Sequence, residues 1–274
     1  MQPIPIESLD DPRVAAYRNV RDADLVGRRG LFLAEGELVV RTLLHTHRQG
    51  GRFRAESVFL NRTRLGAMAP ALAELGPDFP VYVADQAVMD EIVGFHIHRG
   101  VLACGVRAAP STMPELISAA TRSGGPIVIL EDLANHDNVG GVFRNAAAFG
   151  CTGVLLTRRC CDPLYRKALR VSMGNVLSMP FAHIGSVEEA CRALGNEGWT
   201  TLALTPGVDS AEISDLVASG EAGGRVAILL GAEGPGLSES ALRAAQHRAR
   251  IPIDPRVDSL NVVVACAIAL FALR

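Results

Sequence analysis

The sequence predicts an α/β protein in which a parallel sheet follows a smaller α/β unit. In the second half of the chain, short apolar segments alternate with segments of helical periodicity, which is the pattern of β-α-β units. In the first half, short strand-like segments also alternate with helical ones. With 274 residues and 49% hydrophobic residues, the chain can bury the core of one large or two modest domains, and we favour two.

The first unit is predicted to span residues 1–107. The segment 31–44 runs from a strand into an amphipathic helix. Further strands are predicted at 57–60, 81–84 and 101–106, and helices at 65–75 and 85–93.

A linker and one helix open the second predicted unit, 108–274. Pro110 and Pro114 punctuate this stretch, and Thr112 with Glu115 has the spacing of a capping box. Strands are then predicted at 127–131, 153–157, 201–205, 226–230 and 249–253. Because helical segments separate them, these strands are expected to form a parallel sheet.

Composition limits the classes of partner and the compartment. The net charge is −2, so no global field draws the protein to nucleic acid, and any RNA contact must be a local patch. The six cysteines are scattered and no secretory signal opens the chain, which indicates reduced thiols in the cytoplasm. No apolar run reaches the roughly 18 residues of a membrane span. We therefore expect a soluble cytoplasmic protein without a membrane partner.

Two basic clusters are candidates for RNA contact. Six arginines and one acid, Glu56, lie between Arg41 and Arg64, which is either a solvated face or a patch that contacts phosphates. The second cluster follows the predicted strand at 153–157. Its place at the carboxyl end of a strand suits a rim that faces RNA. Its members are Arg158, Arg159, Arg166, Lys167 and Arg170.

Three polar blocks mark the second unit. Asn138-Val-Gly-Gly-Val-Phe-Arg144 begins in a predicted loop and leads into a helix at 142–149. Gly231-Ala-Glu-Gly-Pro-Gly-Leu-Ser238 follows a buried strand, a common layout of ligand sites in α/β folds. In the third block, Ser259 stands at an N-cap position and Asn261 in the first turn of the last helix. Because that helix is apolar on nearly every side, it must be buried against the same chain or a partner.

These blocks resemble, in order and over nearly the full length, the three signature motifs of the SpoU (TrmH) branch of the SPOUT RNA methyltransferases. Glu35-Gly36 resembles an element of the small substrate-binding domain that precedes many SpoU catalytic domains, and 172–180 resembles a segment between motifs one and two. The resemblance implies a SPOUT-type parallel sheet with a C-terminal trefoil knot, S-adenosylmethionine as cofactor, RNA as substrate and a homodimer.

The resemblance also implies roles for individual residues. Arg144 would contact the target ribose, either as a base or as a group that positions phosphate and hydroxyl, and a guanidinium is a poor base in water. Asn138 would orient Arg144 or the substrate phosphate, and Glu233 would hold polar groups near the sulfonium or ribose. Ser259 and Asn261 would shape the pocket floor. The implied cofactor-binding residues are Gly231, Ile251 and Leu260, with Thr205, Ala232 and Ile253 as adjacent candidates.

Other classes of protein fit the sequence less well. A dinucleotide-binding enzyme needs Gly-x-Gly-x-x-Gly, and Gly234-Pro-Gly236 lacks the third glycine. A phosphate-cradling Gly-x-x-x-x-Gly-Lys loop is absent because the only lysine is Lys167. The alternative is a catalytically silent RNA-binding protein of the same fold, and the presence of all the motif residues argues against it.

We therefore predict S-adenosylmethionine-dependent 2′-O-ribose methylation of structured RNA, with ribosomal RNA favoured over transfer RNA and no DNA partner. No metal site is predicted. The histidine pairs His45/His47 and His96/His98 lack the cysteine or carboxylate partners that would complete a set of ligands, so we expect surface histidines.

Overall fold

A computed structural model describes residues 2–18, 25–26, 30–94, 96–97, 99–207 and 209–274. The chain forms two compact units. One comprises Met1–Ala109 and Pro163–Ser178, and the other comprises Pro110–Asp162 and Met179–Arg274. The predicted domain boundary at 107 lies near the boundary at Ala109. The segment Pro163–Ser178, however, packs with the first unit, although the prediction placed it in the second domain.

Strands and helices are numbered along the part of the chain that the structure describes. The strands are β1 (Ile4–Pro5), β2 (Leu31–Glu35), β3 (Arg54–Asn61), β4 (Val81–Ala84), β5 (Val101–Val106), β6 (Ile127–Leu130), β7 (Gly153–Thr157), β8 (Phe181–Ile184), β9 (Thr200–Leu204), β10 (Ala211–Glu212), β11 (Val226–Leu230) and β12 (His247–Arg250). The α-helices are α1 (Glu37–Arg48), α2 (Leu65–Ala73), α3 (Gln86–Val93), α4 (Met113–Ser123), α5 (His136–Ala148), α6 (Arg166–Val171), α7 (Val187–Asn196), α8 (Ile213–Ala218), α9 (Glu239–Ala244) and α10 (Val262–Ala272). Short 3-10 helices cover Pro12–Val14, Arg62–Arg64 and Asn175–Leu177.

The second unit contains a parallel sheet in the order β10-β12-β9-β11-β6-β7-β8. Every residue of β6, β7 and β11 is buried, as expected for central strands covered on both faces. The predicted parallel α/β sheet is confirmed. The prediction missed β8, whose apolar pattern His183 interrupts, and β10, which is too short to show a period.

The first unit contains a mixed sheet in the order β1-β4-β3-β5-β2. Strand β5 pairs antiparallel with β2 and β3, whereas β4 pairs parallel with β1 and β3. Tyr17 and Phe59 are fully buried in its core, and the Tyr17 hydroxyl lies 2.8 Å from the Ser57 hydroxyl, so the one polar atom of this ring is satisfied.

Helix α6 packs against β2, which explains why the segment around it belongs to the first unit. Arg170 on α6 lies 3.4 Å from the carboxylate of Glu35 at the end of β2. Gly174 follows the helix with a left-handed backbone, and a Cβ there would lie 3.1 Å from the Thr42 hydroxyl. The predicted domain boundary does not include these contacts, because they join residues that are distant in the sequence.

Helix α5 begins earlier than the sequence predicts. The prediction left Asn138 in a loop, whereas Asn138 lies in the first turn of α5. The helix is capped by Asn135, whose side chain accepts a hydrogen bond of 2.8 Å from the Asp137 N–H. The asparagine cap therefore starts the helix before the glycines that suggested a loop.

Two glycines, Gly140 and Gly141, lie inside α5, and close helix packing accounts for Gly141. Glycine disfavours a helix interior by about 1 kcal/mol relative to alanine. A Cβ on Gly141 would lie 2.7 Å from a methyl group of Val263 on α10, so only glycine allows this approach. The contact between α5 and α10 thus overrides the low helix propensity of Gly141.

The strand predicted at 249–253 lies earlier in the structure. Strand β12 covers His247–Arg250, and Ile251-Pro-Ile253 leaves the sheet. Pro252 has no backbone N–H to donate to a sheet, which is the physical reason that the strand ends before it.

The N-cap predicted at Ser259 is also wrong. Helix α10 begins at Val262, and its cap is Asn261, whose side-chain oxygen accepts a hydrogen bond of 2.9 Å from the Val263 N–H. At α4, by contrast, the predicted capping box of Thr112 and Glu115 is confirmed.

Helix α10 is buried on one side only. Cys266, Ala269 and Leu270 are buried, whereas Val264, Ile268 and Phe271 are 46%, 39% and 67% exposed. The exposed residues are spaced at i, i+4 and i+7 and so form one stripe, which we call the α10 stripe. The helix was predicted to be buried against the same chain or a partner; the chain itself buries the other face, and burial of the α10 stripe by a partner stays a prediction. Among the helices that the structure describes, none has the length and apolar character to cross a membrane.

Candidate active site

A cavity of about 370 Å³ opens at the carboxyl ends of β9, β11 and β12. These strands are neighbours in the sheet, so the loops that follow them meet at one edge, where ligands of open α/β sheets bind. Residues 204–206, 230–234, 236–237 and 259–262 line the cavity together with Ile251, Ile253 and Ala265. The predicted motifs two and three therefore meet at one site.

All residues predicted to bind the cofactor line this cavity. They are Thr205, Gly231, Ala232, Ile251, Ile253 and Leu260. Among the described residues, the backbone N–H groups of four of them, Gly231, Ile251, Ile253 and Leu260, donate to no protein acceptor. All four residues are half-buried. The cavity therefore offers free main-chain donors between apolar walls.

The loop after β11 folds back tightly on itself, which shapes one wall of the cavity. The Gly236 N–H donates to the Ala232 carbonyl oxygen at 2.9 Å. Gly234 and Gly236 have φ angles of 85° and 71°, a left-handed backbone that favours glycine. A Cβ on Gly231 would overlap the backbone of Gly236, so the loop has room only for glycine there.

Asn261 is the polar centre of the site. Its Nδ2 lies 3.3 Å from Oδ1 of Asn138 and 3.3 Å from Oε1 of Glu233. Its own oxygen accepts from the Val263 N–H, which fixes the orientation of the amide: the oxygen faces the helix and the NH₂ group faces the two acceptors. The cap of α10 thus brings together residues from all three predicted motifs.

Asn138 has a buried donor without a partner. The residue is only 4% exposed, and its Nδ2 makes no hydrogen bond among the described residues. A buried polar group left unpaired costs about 1–3 kcal/mol. Asn138 does not line the cavity, so its contact with the cavity wall is the hydrogen bond between its Oδ1 and Asn261.

The other two predicted catalytic residues lie in different places. Ser259 lines the cavity. Arg144 lies on the same helix as Asn138 but on its exposed side, and it does not line the cavity. Its guanidinium has no hydrogen bond or ion pair among the described residues. Within one chain, therefore, the structure does not bring Arg144 to the cavity.

Some residues that build the site were not predicted. The Asn145 side chain donates to the Val263 carbonyl oxygen at 2.7 Å and ties α5 to the start of α10. An amide within an alanine-rich helix is the only signal for it in the sequence. Glu131 accepts two hydrogen bonds from Ser238, at the end of the cavity loop, and nothing in the sequence distinguishes it from an ordinary strand terminus.

Two carboxylates near the site have lowered pKa values. The guanidinium of Arg256 hydrogen-bonds both oxygens of Asp254, at 2.9 and 2.8 Å, and this holds the pKa of Asp254 below its usual range. Arg159 donates to one oxygen of Asp132 and the Thr157 hydroxyl donates to the other, which together hold the pKa of Asp132 below its usual range. Asp254 and Arg256 lie in the loop between Ile253 and Ser259, so their ion pair helps to order the segment between two parts of the cavity wall.

Comparison with known proteins identifies the family. The sequence profile of the SpoU rRNA Methylase family matches residues 125–271. An uncharacterized tRNA/rRNA methyltransferase of Mycobacterium tuberculosis is 36% identical over 266 residues, which cover 96% of this chain and 88% of the relative. The chain belongs to the SpoU family of SPOUT RNA methyltransferases.

Solved structures share the fold of this SpoU protein. An AdoMet-bound rRNA methyltransferase from Sinorhizobium meliloti superposes with a TM-score of 0.81 at 24% identity, covering 99% of this chain and 97% of the other. An RNA 2′-O ribose methyltransferase superposes with a TM-score of 0.72 at 23% identity, covering 98% of each chain. At such identities the likeness shows the fold alone.

Local acids neutralise part of the predicted basic patch in the first unit of this SpoU protein. Ion pairs join Arg41 to Glu37, Arg48 to Glu74 and Arg62 to Asp85. Of the second predicted cluster, Arg159 pairs with Asp132. The carboxylates lower the net positive charge that these arginines present to a phosphate.

The histidines predicted to be surface residues have local partners. His47 accepts a hydrogen bond of 3.1 Å from the Ala55 N–H, and His96 lies 2.6 Å from Asp90. His98 lies outside the described residues. Within the described ranges, no group of three or more His, Cys, Asp or Glu side chains is arranged to hold a metal ion.

Proposed function

We propose that this chain is an S-adenosylmethionine-dependent RNA 2′-O-ribose methyltransferase that acts on ribosomal RNA in preference to transfer RNA. The observation that carries the proposal is the cavity, in which free main-chain donors lie beside the Asn138–Asn261–Glu233 cluster. Membership of an RNA methyltransferase family supports the RNA substrate. A structural neighbour named as a 2′-O ribose methyltransferase supports the position of methylation.

The cavity fits the cofactor in size and in chemistry. Pockets for ligands of this size span about 300–1,000 Å³, and the cavity measures about 370 Å³. An adenine ring needs main-chain donors and acceptors between apolar walls, and the N–H groups of Ile251, Ile253 and Leu260 are free for it. When bound, S-adenosylmethionine supplies an electrophilic methyl group on a sulfonium.

The polar cluster orients the ribose hydroxyl beside that methyl group. Asn261 holds the amide oxygen of Asn138 and the carboxylate of Glu233 on one side of the cavity. Asn138 is buried and does not line the cavity, so it acts on the substrate through its hydrogen bond with Asn261. Holding a hydroxyl in line with its reaction partner lowers the barrier by positioning alone. Ser259 shapes the floor of the same cavity.

Arg144 acts on the cavity of a second subunit. It is exposed and lies outside the cavity of its own chain, so in an assembly it can face the cavity of a partner chain. The α10 stripe supports such a partner, because Val264, Ile268 and Phe271 are large apolar residues aligned on one helix face. A second copy of the chain that covers this stripe forms a homodimer. In it, the Arg144 guanidinium positions the phosphate and ribose hydroxyl of the RNA.

The first unit serves as the RNA-binding domain in this proposal. Arg54 and Arg64 are exposed residues of its basic stretch that make none of the ion pairs found at Arg41, Arg48 and Arg62. They are available for a phosphate backbone. A trefoil knot in the second unit is a further expectation from the family.

The test is transfer of labelled methyl from S-adenosylmethionine to unmodified ribosomal and transfer RNA pools, followed by nuclease digestion and mass analysis of the nucleosides. A ribose-methylated nucleoside from ribosomal RNA is the expected result. A base-methylated product would contradict the 2′-O assignment. Cofactor binding without transfer to either pool or to assembling ribosomal particles would favour the silent RNA-binding protein.

A further inference from the structure

Glu131 joins two loops at the edge of the cavity. It directly follows β6, and its N–H donates to the Leu230 carbonyl oxygen at 2.9 Å, so the β6–β11 ladder continues to this residue. One carboxylate oxygen accepts from the Ser238 N–H at 2.8 Å, and the other accepts from the Ser238 hydroxyl at 2.7 Å. Hydrogen bonds to an ionised acceptor are about twice as strong as neutral ones.

Ser238 is the fixed end of the cavity loop. Its hydroxyl oxygen also accepts from the Ala241 N–H at 3.1 Å and so caps α9. Because the hydroxyl hydrogen is directed to Glu131 while the oxygen accepts from Ala241, both functions of the group are used. Leu237, the preceding residue, is buried in the core and also lines the cavity.

The loop between β11 and Ser238 has few other contacts that hold it. Among the described residues, the only backbone hydrogen bond within this loop joins the Gly236 N–H to the Ala232 carbonyl oxygen. Residues 233–236 are exposed, and two of them are glycines with positive φ. The backbone of Gly236 nevertheless lies directly over Gly231. A shift at Ser238 therefore moves the wall that Gly231 and Gly236 form.

We infer that Glu131 is a positioning residue that clamps the Gly231–Leu237 loop through Ser238 and thereby sets the affinity of the cavity for its cofactor. The inference rests on the proposed function for the identity of the cofactor. Glu131 does not line the cavity, so its effect reaches the ligand only through the loop. Loss of the clamp weakens cofactor binding and leaves the reaction of the saturated enzyme nearly unchanged.

The experiment compares the full-length protein with Glu131→Gln, Glu131→Ala, Ser238→Ala and the double variant Glu131→Ala/Ser238→Ala. Glu197→Gln, an exposed carboxylate elsewhere in the same unit, is the matched control. Glu131→Ala is expected to raise the Kd and KM for S-adenosylmethionine about tenfold, with kcat at saturating cofactor within about threefold of the parent. Glu131→Gln keeps one acceptor oxygen, so its Kd for S-adenosylmethionine is expected to lie between those of the parent and of Glu131→Ala. In the double variant the losses of affinity are expected to add up to less than the sum of the single changes, because both changes remove the hydrogen bond between the Ser238 hydroxyl and Glu131.

Hydrogen exchange without cofactor separates the clamp from the proposed function. Amides of the loop 231–238 are expected to exchange faster in Glu131→Ala than in the parent and in Glu197→Gln. Unchanged exchange in this loop would overturn the inference, whether or not the parent binds cofactor. If the parent binds cofactor, an unchanged Kd in Glu131→Ala would also overturn the inference. So would a fall in both kcat and melting temperature while KM stays unchanged. A parent that does not bind S-adenosylmethionine but shows the exchange difference would contradict the proposed function and leave the clamp in place.

Discussion

The side-chain amide of Asn261 lies 3.3 Å from that of Asn138, although 123 residues separate them in the sequence. Helices α5 and α10 carry these two residues and pack closely because Gly141 leaves space for Val263. The same packing holds Asn261 next to Glu233. The site is therefore built by a helix contact, with the cap of α10 as its centre.

Asn261→Asp separates the capping role of this residue from its role in the site. Aspartate caps a helix as well as asparagine does, so the melting temperature is expected to stay within a few degrees of the parent. The new carboxylate faces the oxygens of Asn138 and Glu233 without a donor. We expect a fall in methyl transfer of about 100-fold or more, the magnitude seen when an oriented donor is removed. Asn135→Asp, at the cap of α5, is the control and should keep its activity.

Gly141→Ala is expected to destabilise the protein although alanine favours helices. The added Cβ would lie 2.7 Å from Val263, and overpacking costs about 1–3 kcal/mol, which exceeds the gain in helix propensity of about 1 kcal/mol. The matched control is Gly195→Ala in α7, where a Cβ meets nothing within 4 Å. Denaturant unfolding should show a loss of about 1–2 kcal/mol for Gly141→Ala and a gain for Gly195→Ala. Equal effects of the two changes would contradict the packing argument.

Arg144→Ala is expected to abolish methyl transfer and to leave the Kd for S-adenosylmethionine within a few-fold of the parent. The reason is that Arg144 lies outside the cavity of its own chain. Arg192→Ala, an exposed arginine on α7, is the control and should change neither quantity. A large loss of cofactor binding in Arg144→Ala would contradict a role on the substrate side.

Co-expression of two inactive variants tests whether the site is shared between subunits. In a mixed dimer of Arg144→Ala with Asn261→Asp chains, one site combines an intact cavity with the partner's intact arginine. Activity is then expected to return in the mixed dimer. If Arg144 acted within its own chain, both sites would be defective and no activity would return.

Phe271→Asp is expected to convert the proposed homodimer to a monomer. The change places a charge at the C-terminal end of the α10 stripe, on its most exposed residue, which the partner would have to bury without compensation. Sedimentation equilibrium measures the effect, with Leu9→Asp, another exposed apolar residue, as the control. A parent that sediments as a monomer, or a variant with unchanged association, would contradict the proposed dimer.

The sheet of the second unit could be predicted because its buried strands are continuous apolar runs. The site residues could be named because their motifs resemble those of a known family. The starts of helices were harder to predict. Asn135 caps α5, whereas the sequence favoured a later start for this helix. Asn261 caps α10, whereas the sequence favoured Ser259 as its cap. Polar residues next to each other compete for the cap, and the tertiary contact of α5 with α10 decides between them.

The tertiary contacts of the site had no local signal. The sequence around Gly141 indicates a loop, and only the contact with Val263 explains a glycine within a helix. The hydrogen-bond partner of Glu131 is 107 residues away in the sequence. The packing of Pro163–Ser178 with the first unit is of the same kind. Periodicity reports which face of an element is apolar and does not report what that face meets.

The most direct test of the central claim is calorimetric titration of S-adenosylmethionine into the parent protein and into Gly231→Ala. A Cβ at this position would overlap the backbone of Gly236 and displace the cavity wall. We expect the parent to bind one cofactor per chain and Gly231→Ala to bind at least about tenfold more weakly, with an unchanged circular dichroism spectrum. Absence of binding to the parent, or equal affinity in the two proteins, would contradict the assignment of this cavity as the cofactor site.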